Sequence, residues 1–473
     1  MSNTISLVSS PKIFTYNLEG QKVIVKLNHN HFDFELPTLF SLAARQNKKR
    51  GFLFVSNVLG KHVPVNPYIP LLAGAALAVQ LQSKLYGLDH TETQAIIQAL
   101  KGLEQAEKVY NTVQESPHFA LPEETLFIGF AETATGLGHA VFSLFENAHY
   151  LHTTREQITR IDSELNFSED HSHAVHHRCY PLNTESLLTS KTIVLVDDEI
   201  TTGNTALNII RELHGKFPKS EYVVLSLLDW RTPEERANYR DLERQLDTKI
   251  HSISLLEGEL TIIGDPIIKT VNPINLTKKL APLKRGVVIE RQWFNGFDLV
   301  QVSSEDSLGN KNRSPYLKLT GRFGVSSREN REIVPYAKKI AEELQKNRTG
   351  EKTLCLGTGE FMYFPMLISA KMGRGIRYHS TTRSPIYPLE KPDYGIQNGF
   401  SFDNPDDASI TNYVYNVPLG YYDEVYLFLE RDVAQEKLKS LRTTFGALEI
   451  PRIVLVICVS FSPVEFGQRA FSD

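Results

Sequence analysis

The residues best placed to do chemistry lie in one run, Thr192-Ile-Val-Leu-Val-Asp-Asp-Glu-Ile-Thr-Thr-Gly-Asn-Thr205. An apolar strand ends in acids, and a Thr/Gly turn then opens a helix. A helix N-terminus presents unpaired backbone amides and a partial positive charge, so it can hold a phosphate group. Gly203 lets the backbone approach that phosphate closely, with Asn204 beside it, and Thr201, Thr202 and Thr205 add hydroxyl donors. Asp197 and Asp198 cannot face the phosphate themselves. At the strand's end they suit sugar hydroxyls or a hydrated Mg²⁺, and in an open parallel sheet ligands bind at this carboxyl edge. A Walker A run is absent, and so is a complete Gly-x-Gly-x-x-Gly.

Elements of two kinds must position these groups. Short apolar strands (Leu126–Phe130, Ala148–His152, Thr192–Val196, Tyr222–Leu228) alternate with helical stretches (Glu92–Val113, Gly138–Phe145, Thr205–His214). That alternation predicts an α/β fold with a largely parallel sheet. Between the second and third strands lies a long polar stretch, Thr154–Ser190, and a connection of that length is a lid or partly disordered. It carries Phe167-Ser-Glu-Asp-His-Ser-His-Ala-Val-His-His177. The histidines, His171 and His173 among them, admit three readings: a transition-metal site, donors to a bound anion when the lid closes, or a solvated loop.

The chain also repeats itself. Leu126-Phe-Ile-Gly-Phe-Ala-Glu132 is echoed by Leu354-Cys-Leu-Gly-Thr-Gly-Glu360, and Thr153-Thr-Arg155 by Thr381-Thr-Arg383, at a constant spacing of 228 (357 − 129, 383 − 155). Phe167 and Tyr180 match Phe402 and Tyr415 at 235 (402 − 167). Upstream, Asn47–Arg50 with Gly60 resembles Asn310–Arg313 with Gly321. Duplication accounts for the order of these matches. The boundary falls after a Pro- and Asn-containing stretch, Gly264–Pro282, giving units at 1–280 and 281–473.

Length and composition agree with this division. A chain of 473 residues exceeds one ordinary core, so two domains of roughly 200 residues each are expected. The formal net charge of −4 gives no whole-chain reason to expect nucleic acid or an anionic membrane. Met1–Thr15 lacks an apolar signal-peptide core, and the apolar stretches at Leu71–Leu81 and Ile453–Phe461 are too short to span a bilayer. Three widely spaced cysteines, Cys179, Cys355 and Cys458, form no disulfide framework. The expectation is a soluble cytoplasmic protein.

The run ending at Thr205 resembles the 5-phosphoribosyl 1-diphosphate (PRPP) motif of type I phosphoribosyltransferases: four apolar residues, two acids, two variable positions, then Thr-Thr-Gly-x-Thr. The resemblance implies Mg²⁺ with PRPP at Asp197 and Asp198. It also implies a diphosphate loop at Ala131, Glu132, Thr133, Ala134, Thr135 and Gly136, and a mobile catalytic loop over Thr154–Ser190. The chemistry would be displacement at the anomeric carbon with diphosphate leaving, helped by positioning and charge neutralisation. Purine-type members place an acid where this chain has Thr201, so the general base is open. Glu199 replaces an apolar residue and either contacts the acceptor or is structural.

The second half is similar to the TRSP domain, through His379-Ser-Thr-Thr-Arg-Ser-Pro-Ile386 and Gly357-Thr-Gly-Glu-Phe-Met-Tyr363. That domain follows a phosphoribosyltransferase domain in proteins of bacterial tellurite-resistance (Ter) stress-response gene clusters, and the family is thought to help make a nucleoside-like metabolite. Gly51–Ser56, Gly60-Lys-His62 and Gly129–Gly136 resemble the first domain of that family. If the repeat holds, the PRPP strand of the second copy is Val425–Glu430, at a spacing of 233 (430 − 197), which puts Glu436 where Gly203 stands. An acid there would repel phosphate, so the second copy reads as degenerate and the chain as a pseudo-dimer with one competent half. Further self-association stays open. In related dimers an arginine beyond the second strand reaches the partner's diphosphate, which gives Arg155 and Arg383 such roles. Two functions compete: an enzyme transferring phosphoribose to an unidentified nitrogenous acceptor, and a PRPP- or nucleotide-binding regulator with little turnover. A lid over a leaving group favours the enzyme.

Overall fold

Continuous apolar runs become strands where both faces of a sheet are covered, and this chain builds two such sheets. The computed structural model describes residues 12–18, 20–45, 50–117, 119–168, 176–265 and 287–459. The expected boundary at 280/281 lies outside the described residues, and so do His171 and His173. In the first half, strand β1 (Gln21–Asn30) and a hairpin of β2 (Phe40–Ala44) and β3 (Phe52–Ser56) lead into helix α1 (Tyr68–Tyr86). Strand β4 (Thr125–Gly129), helix α2 (Ala134–Phe142) and strand β5 (Ala148–His152) follow. A second hairpin, β6 (Leu165–Ser168) with β7 (His176–Cys179), precedes strand β8 (Thr192–Ile200) and helix α3 (Asn204–Lys216). Strand β9 (Glu221–Asp229), helix α4 (Pro233–Leu246) and strand β10 (Lys249–Ile263) complete this half.

Strands β5, β4, β8, β9 and β10 lie parallel in that order, with β1 antiparallel beyond β10. Alternate residues of the central strands go to opposite faces. Leu126, Ile128, Ile193 and Leu195 share a core with Ile209, Ile210 and Leu213 of α3, while Phe127, Val194 and Val196 share one with α1 and α2. Helix α1 is buried from Pro70 to Gln82 because it lies between this sheet, α2 and the second half. No helix among the described residues is long and apolar enough to cross a membrane.

Three elements differ from their sequence expectation. Helix α2 starts at Ala134, ahead of the expected Gly138. Its glycines permit close approach instead of breaking the helix: a Cβ at Gly138 would stand 3.0 Å from the Cα of Gly129. The stretch Glu92–Val113 forms two helices, Thr93–Leu100 and Ala106–Glu115, parted at Gly102, whose φ is +75°. The polar stretch after β5 folds into the β6–β7 hairpin, and its strand Gln157–Thr159 pairs with Ser303–Glu305 of the second half.

The second half repeats this plan. Strand β11 (Val288–Trp293) and the hairpin β12 (Ser303–Glu305)–β13 (Lys311–Asn312) come first, then β14 (Val325–Ser326) and helix α5 (Ile333–Lys346). Strand β15 (Thr353–Gly357), helix α6 (Tyr363–Lys371) and strand β16 (Ile376–Ser380) lead to the hairpin β17 (Gly399–Asp403)–β18 (Thr411–Tyr415). Strand β19 (Glu424–Leu429), helix α7 (Lys439–Ala447) and strand β20 (Arg452–Ile457) close it. The sheet order is β11-β20-β19-β15-β16, all parallel. Strand β11 holds the place beside β20 that β10 holds beside β9, although it enters from the opposite end of the repeated unit.

The ladders make the equivalence explicit. Thr125 pairs with Ala148 and Thr353 with Ile376, a spacing of 228 on both strands (353 − 125, 376 − 148). Leu165 pairs with Cys179 and Phe400 with Val414, a spacing of 235 (400 − 165, 414 − 179). On the third strand Thr192 pairs with Thr125 and Glu424 with Thr353, so the spacing is 232 (424 − 192), one less than the run of residues suggests. Glu430 therefore corresponds to Asp198 and Gln435 to Gly203. Glu436 falls one residue further on and is exposed, so the expected repulsion of phosphate at that position does not arise.

The halves also exchange sheet edges. Val325 of β14 pairs with Tyr150 on β5, and Val65 bridges Tyr378 on β16 through bonds of 2.9 and 2.8 Å. A positive-φ glycine sits on each of these rings. A Cβ would come within 2.4 Å of Tyr150 at Gly321 and 2.7 Å of Tyr378 at Gly60.

Candidate active site

The central strand β8 delivers Asp197, Asp198 and Glu199 to the carboxyl edge of the first sheet, each half-buried. The chain then turns through Thr201 and Thr202 into α3, which Gly203 opens at φ +78° with no side chain capping it. Only glycine fits here, since a Cβ would lie 2.5 Å from the Tyr239 hydroxyl and 2.9 Å from Arg231 Cδ. The turn rests on a firm platform. Tyr239 Oη donates to the Gly203 carbonyl at 3.0 Å, and the Arg231 guanidinium lies 4.1 Å over the Tyr239 ring. Asp229, at the end of β9, accepts from Arg231 Nε at 3.0 Å and from its Nη2 at 2.6 Å. Thr202 Oγ1 accepts weakly from the Asn204 amide at 3.4 Å, and Thr205 sits half-buried in the first turn.

The Asp198 amide donates to Asp197 Oδ1 at 2.9 Å. Burial raises the Asp198 carboxyl above its ordinary range, against hydrogen bonding to Asp197 and the charges of Lys61 and Arg50. Among the described residues no group of three or more His, Cys, Asp or Glu side chains is placed to hold a metal ion. Asp197 and Asp198 offer two carboxylates, which suits an ion that keeps its waters and takes its other oxygens from substrate.

Beside β8, the loop after β4 runs from Ala131 to Thr133, and the Ala131–Glu132 peptide bond is cis. The Ala131 amide donates to Thr153 Oγ1 at 2.8 Å. Glu132 is buried, and Lys61 Nζ reaches it at 2.8 Å while Arg155 lies 3.6 Å away. Burial alone would raise the Glu132 carboxyl, but Lys61, Arg383 and Arg155 hold it down at about 2. Ala134, Thr135 and Gly136 lie in the first turn of α2 and turn toward the second half. Thr135 Oγ1 donates to the Glu360 carbonyl at 3.0 Å, and a Cβ at Gly136 would meet Met362 at 3.0 Å. Of the six loop residues, the structure thus leaves Thr133 the most open to solvent.

Glu199 pairs with Arg50 at 2.5 Å, at a small cleft that Leu39, Phe54, Ser56 and Leu228 also line. Burial raises the Glu199 carboxyl, with Arg50 opposing. Phe54 and Ser56 of this cleft come from the Gly51–Ser56 stretch that resembles the first domain of the family. His177 is a core residue, fully buried, hydrogen-bonded at 3.0 Å to Thr153 and stacked on Phe167 at 5.1 Å.

Lys61 has a counterpart across the pseudo-symmetry. Arg322 bonds Glu360 and reaches Thr154 Oγ1 at 2.7 Å and Glu430 at 3.1 Å. Both cations follow the glycines packed on tyrosine, a signal present in Gly60-Lys61 and Gly321-Arg322 that the loop motifs overshadow. At the carboxyl edge of the second sheet a cavity of about 580 Å³ opens. Arg383 and Arg155 both lie on its wall, so neither is confined to the first site.

Residues 39–259 match the family described as phosphoribosyl transferase, and residues 319–445 match the TRSP domain, described as C-terminal to that transferase domain. No curated protein matches the chain. Among solved structures it is similar to adenine phosphoribosyl transferase from Trypanosoma brucei, at 10% identity and TM-score 0.28, over 49% of this chain and 82% of that one. It is also similar to the adenine enzyme from Giardia lamblia (16%, TM-score 0.20, 34% and 83%). A hypoxanthine phosphoribosyltransferase from Staphylococcus aureus matches at 10%, TM-score 0.20, 38% and 71%. With both matches in order along one chain, this protein belongs to the phosphoribosyl transferase family whose transferase domain is followed by a TRSP domain.

Proposed function

We propose that the first half binds PRPP at the carboxyl edge of β8 and transfers its phosphoribosyl group to a nitrogenous small molecule in the cytoplasm, giving a nucleoside-like product. The observation that carries this is the opening of α3 at Gly203, uncapped and directly beyond Asp197 and Asp198. Apart from the Asn204 amide, which donates weakly to Thr202, its first-turn amides are left to a ligand, and Thr201, Thr202, Asn204 and Thr205 surround them. The 5-phosphate belongs there, with Asp197 and Asp198 toward the ribose hydroxyls.

Two adjacent carboxylates fit Mg²⁺. When bound, Mg²⁺ would neutralise charge on the leaving diphosphate. Ala131–Thr133 and Arg155 flank the place for that diphosphate, and His171 and His173, between β6 and β7 in sequence, are assigned as further donors. In the reaction an acceptor nitrogen forms a bond to the anomeric carbon and the carbon–oxygen bond to diphosphate breaks. Diphosphate departs with the bonding pair, and the acceptor's proton passes to a nearby base. Glu199, which lines the same cleft as Phe54, is assigned to the acceptor. We assign residues 1–280 to this unit and 281–473 to the TRSP unit, paired as a pseudo-dimer.

Calorimetric titration with PRPP, with Mg²⁺ or with EDTA, tests the assignment. The unmodified chain is expected to bind only with Mg²⁺, and Asp197→Asn with Asp198→Asn to abolish binding. Incubation with labelled PRPP and cell extract, followed by mass spectrometry, then identifies the ribosylated product. Binding without any product returns the regulator reading, and no Mg²⁺-dependent binding removes both.

A further inference from the structure

We propose that Glu360, in the second half, is a positioning residue for the diphosphate of PRPP in the first site. It acts by holding the loop Ala131–Thr133 and the side chain of Arg155 in place. The role rests on the PRPP reading and gives the second half a part in it.

Glu360 follows β15 in the second copy as Glu132 follows β4 in the first, but its contacts cross to the other half. Its side chain is buried. Oε1 accepts from the Arg155 amide at 2.7 Å, and Oε2 accepts from Thr154 Oγ1 at 2.6 Å and from Arg322. The Glu360 carbonyl accepts from Thr135 Oγ1 at 3.0 Å, and the same hydroxyl lies 2.9 Å from the Glu132 carbonyl. One residue therefore secures the loop at two points. Thr135 joins it to Glu132, and Arg155 joins it to Ala131. The Arg155 guanidinium lies 3.4 Å from the Ala131 carbonyl and 3.6 Å from the Glu132 carboxylate.

Charge matching does not account for this geometry. Arg322 also meets Glu430 at 3.1 Å and Glu156 at 3.4 Å, so it has counterions without Glu360. Oε1 turns instead to the neutral amide of Arg155. Burial opposes ionisation of the Glu360 carboxyl, yet Arg322 keeps it below its ordinary range, so it accepts these bonds as a carboxylate. The support at Thr135 also runs one way. At the spacing of 228 its counterpart is Tyr363 (363 − 135), which has no hydroxyl on Cβ and stacks on His139 at 3.9 Å.

A diphosphate gains most from donors fixed before it arrives, because ordering them on binding gives back part of the interaction. The place of the 5-phosphate, at Gly203, rests on Tyr239 and Arg231 instead. Loosening Glu360 should therefore weaken a ligand that carries diphosphate and spare one that lacks it.

The test titrates the full chain and Glu360→Gln with PRPP and with ribose 5-phosphate, both in Mg²⁺, and follows thermal unfolding. Glutamine keeps the shape and one acceptor but replaces the other with an NH₂ group. PRPP affinity is expected to fall about tenfold while ribose 5-phosphate affinity stays within about twofold. Equal weakening of both ligands is the mark of a merely structural residue and overturns the proposal, as does unchanged PRPP affinity. Should Glu360→Gln fail to fold, Thr135→Val leaves the carboxylate and its partners in place. It is expected to weaken PRPP about threefold and to spare ribose 5-phosphate, and no such difference overturns the proposal. An unmodified chain that binds neither ligand removes the PRPP reading as well. PRPP binding that neither variant moves removes the role of Glu360 alone.

Discussion

Lys61 binds Glu132 across 2.8 Å in a pair that is nearly inaccessible to water, and the same ammonium donates to the Thr381 carbonyl of the second half at 2.7 Å. One side chain thus sets the loop beside the candidate active site and fastens the halves together. Arg322 with Glu360 repeats the arrangement from the other side.

Replacing Lys61 with Met should leave Glu132 buried without its nearest cation, with Arg383 and Arg155 further off, at a cost of about 3–5 kcal/mol at neutral pH. The pH dependence has a definite sign. The folded Glu132 carboxyl sits at about 2, below its ordinary 4.5, so its contribution is present above about 4.5 and fades as pH falls toward 2. Urea denaturation of both proteins at pH 7 and pH 4 should show the gap narrowing at the lower pH. An equal midpoint at pH 7 would refute the role given to Lys61.

Gly203→Ala forces a positive φ on alanine and drives its Cβ into Tyr239. A fold cost of about 1–3 kcal/mol is expected. A fall in PRPP affinity of at least about tenfold should accompany it, since the amides of the first turn move. Calorimetry reads the affinity and thermal unfolding the stability. Full affinity in a correctly folded variant would show that the turn does not hold the phosphate.

Glu199 and Arg50 form a pair whose balance depends on pH. Burial raises the Glu199 carboxyl, so ionising it in the folded protein lowers stability as pH climbs from the unfolded value through the folded one. Arg50 opposes that. Arg50→Ala should therefore cost more at pH 7 than at pH 5, on the order of 1–3 kcal/mol at the higher pH. Adding Glu199→Gln should recover most of the loss. A double-mutant cycle with no coupling would show that the 2.5 Å contact contributes nothing.

The glycines packed on Tyr150 and Tyr378 report whether the halves fold as one. Gly321→Ala and Gly60→Ala each set a Cβ against a ring from the other half, at positive φ. Each should lower stability by about 1–3 kcal/mol, within a single calorimetric transition. Two separate transitions, with only one displaced, would mean that the halves unfold independently.

Much of this was legible in the residues alone. An apolar run ending in Asp197 and Asp198, followed by Thr-Thr-Gly, specifies a strand, a turn and a helix start through local backbone preference, and Gly203 adopts the positive φ that only such a residue takes readily. The spacings of 228 and 235 are reproduced in the ladders because strand and hairpin register follow alternating side chains within short segments. The spacing of 232 on the third strand was not legible, since which residue of β19 lies opposite Thr353 depends on packing between segments far apart in the chain. The same limit hid Lys61 and Arg322, whose partners lie as far apart as 320 residues in the chain. It also hid the cavity of the second half, whose walls come from both halves and exist only once they meet. Local order is written in neighbouring residues, while ion pairs and cavities belong to surfaces that folding alone brings together.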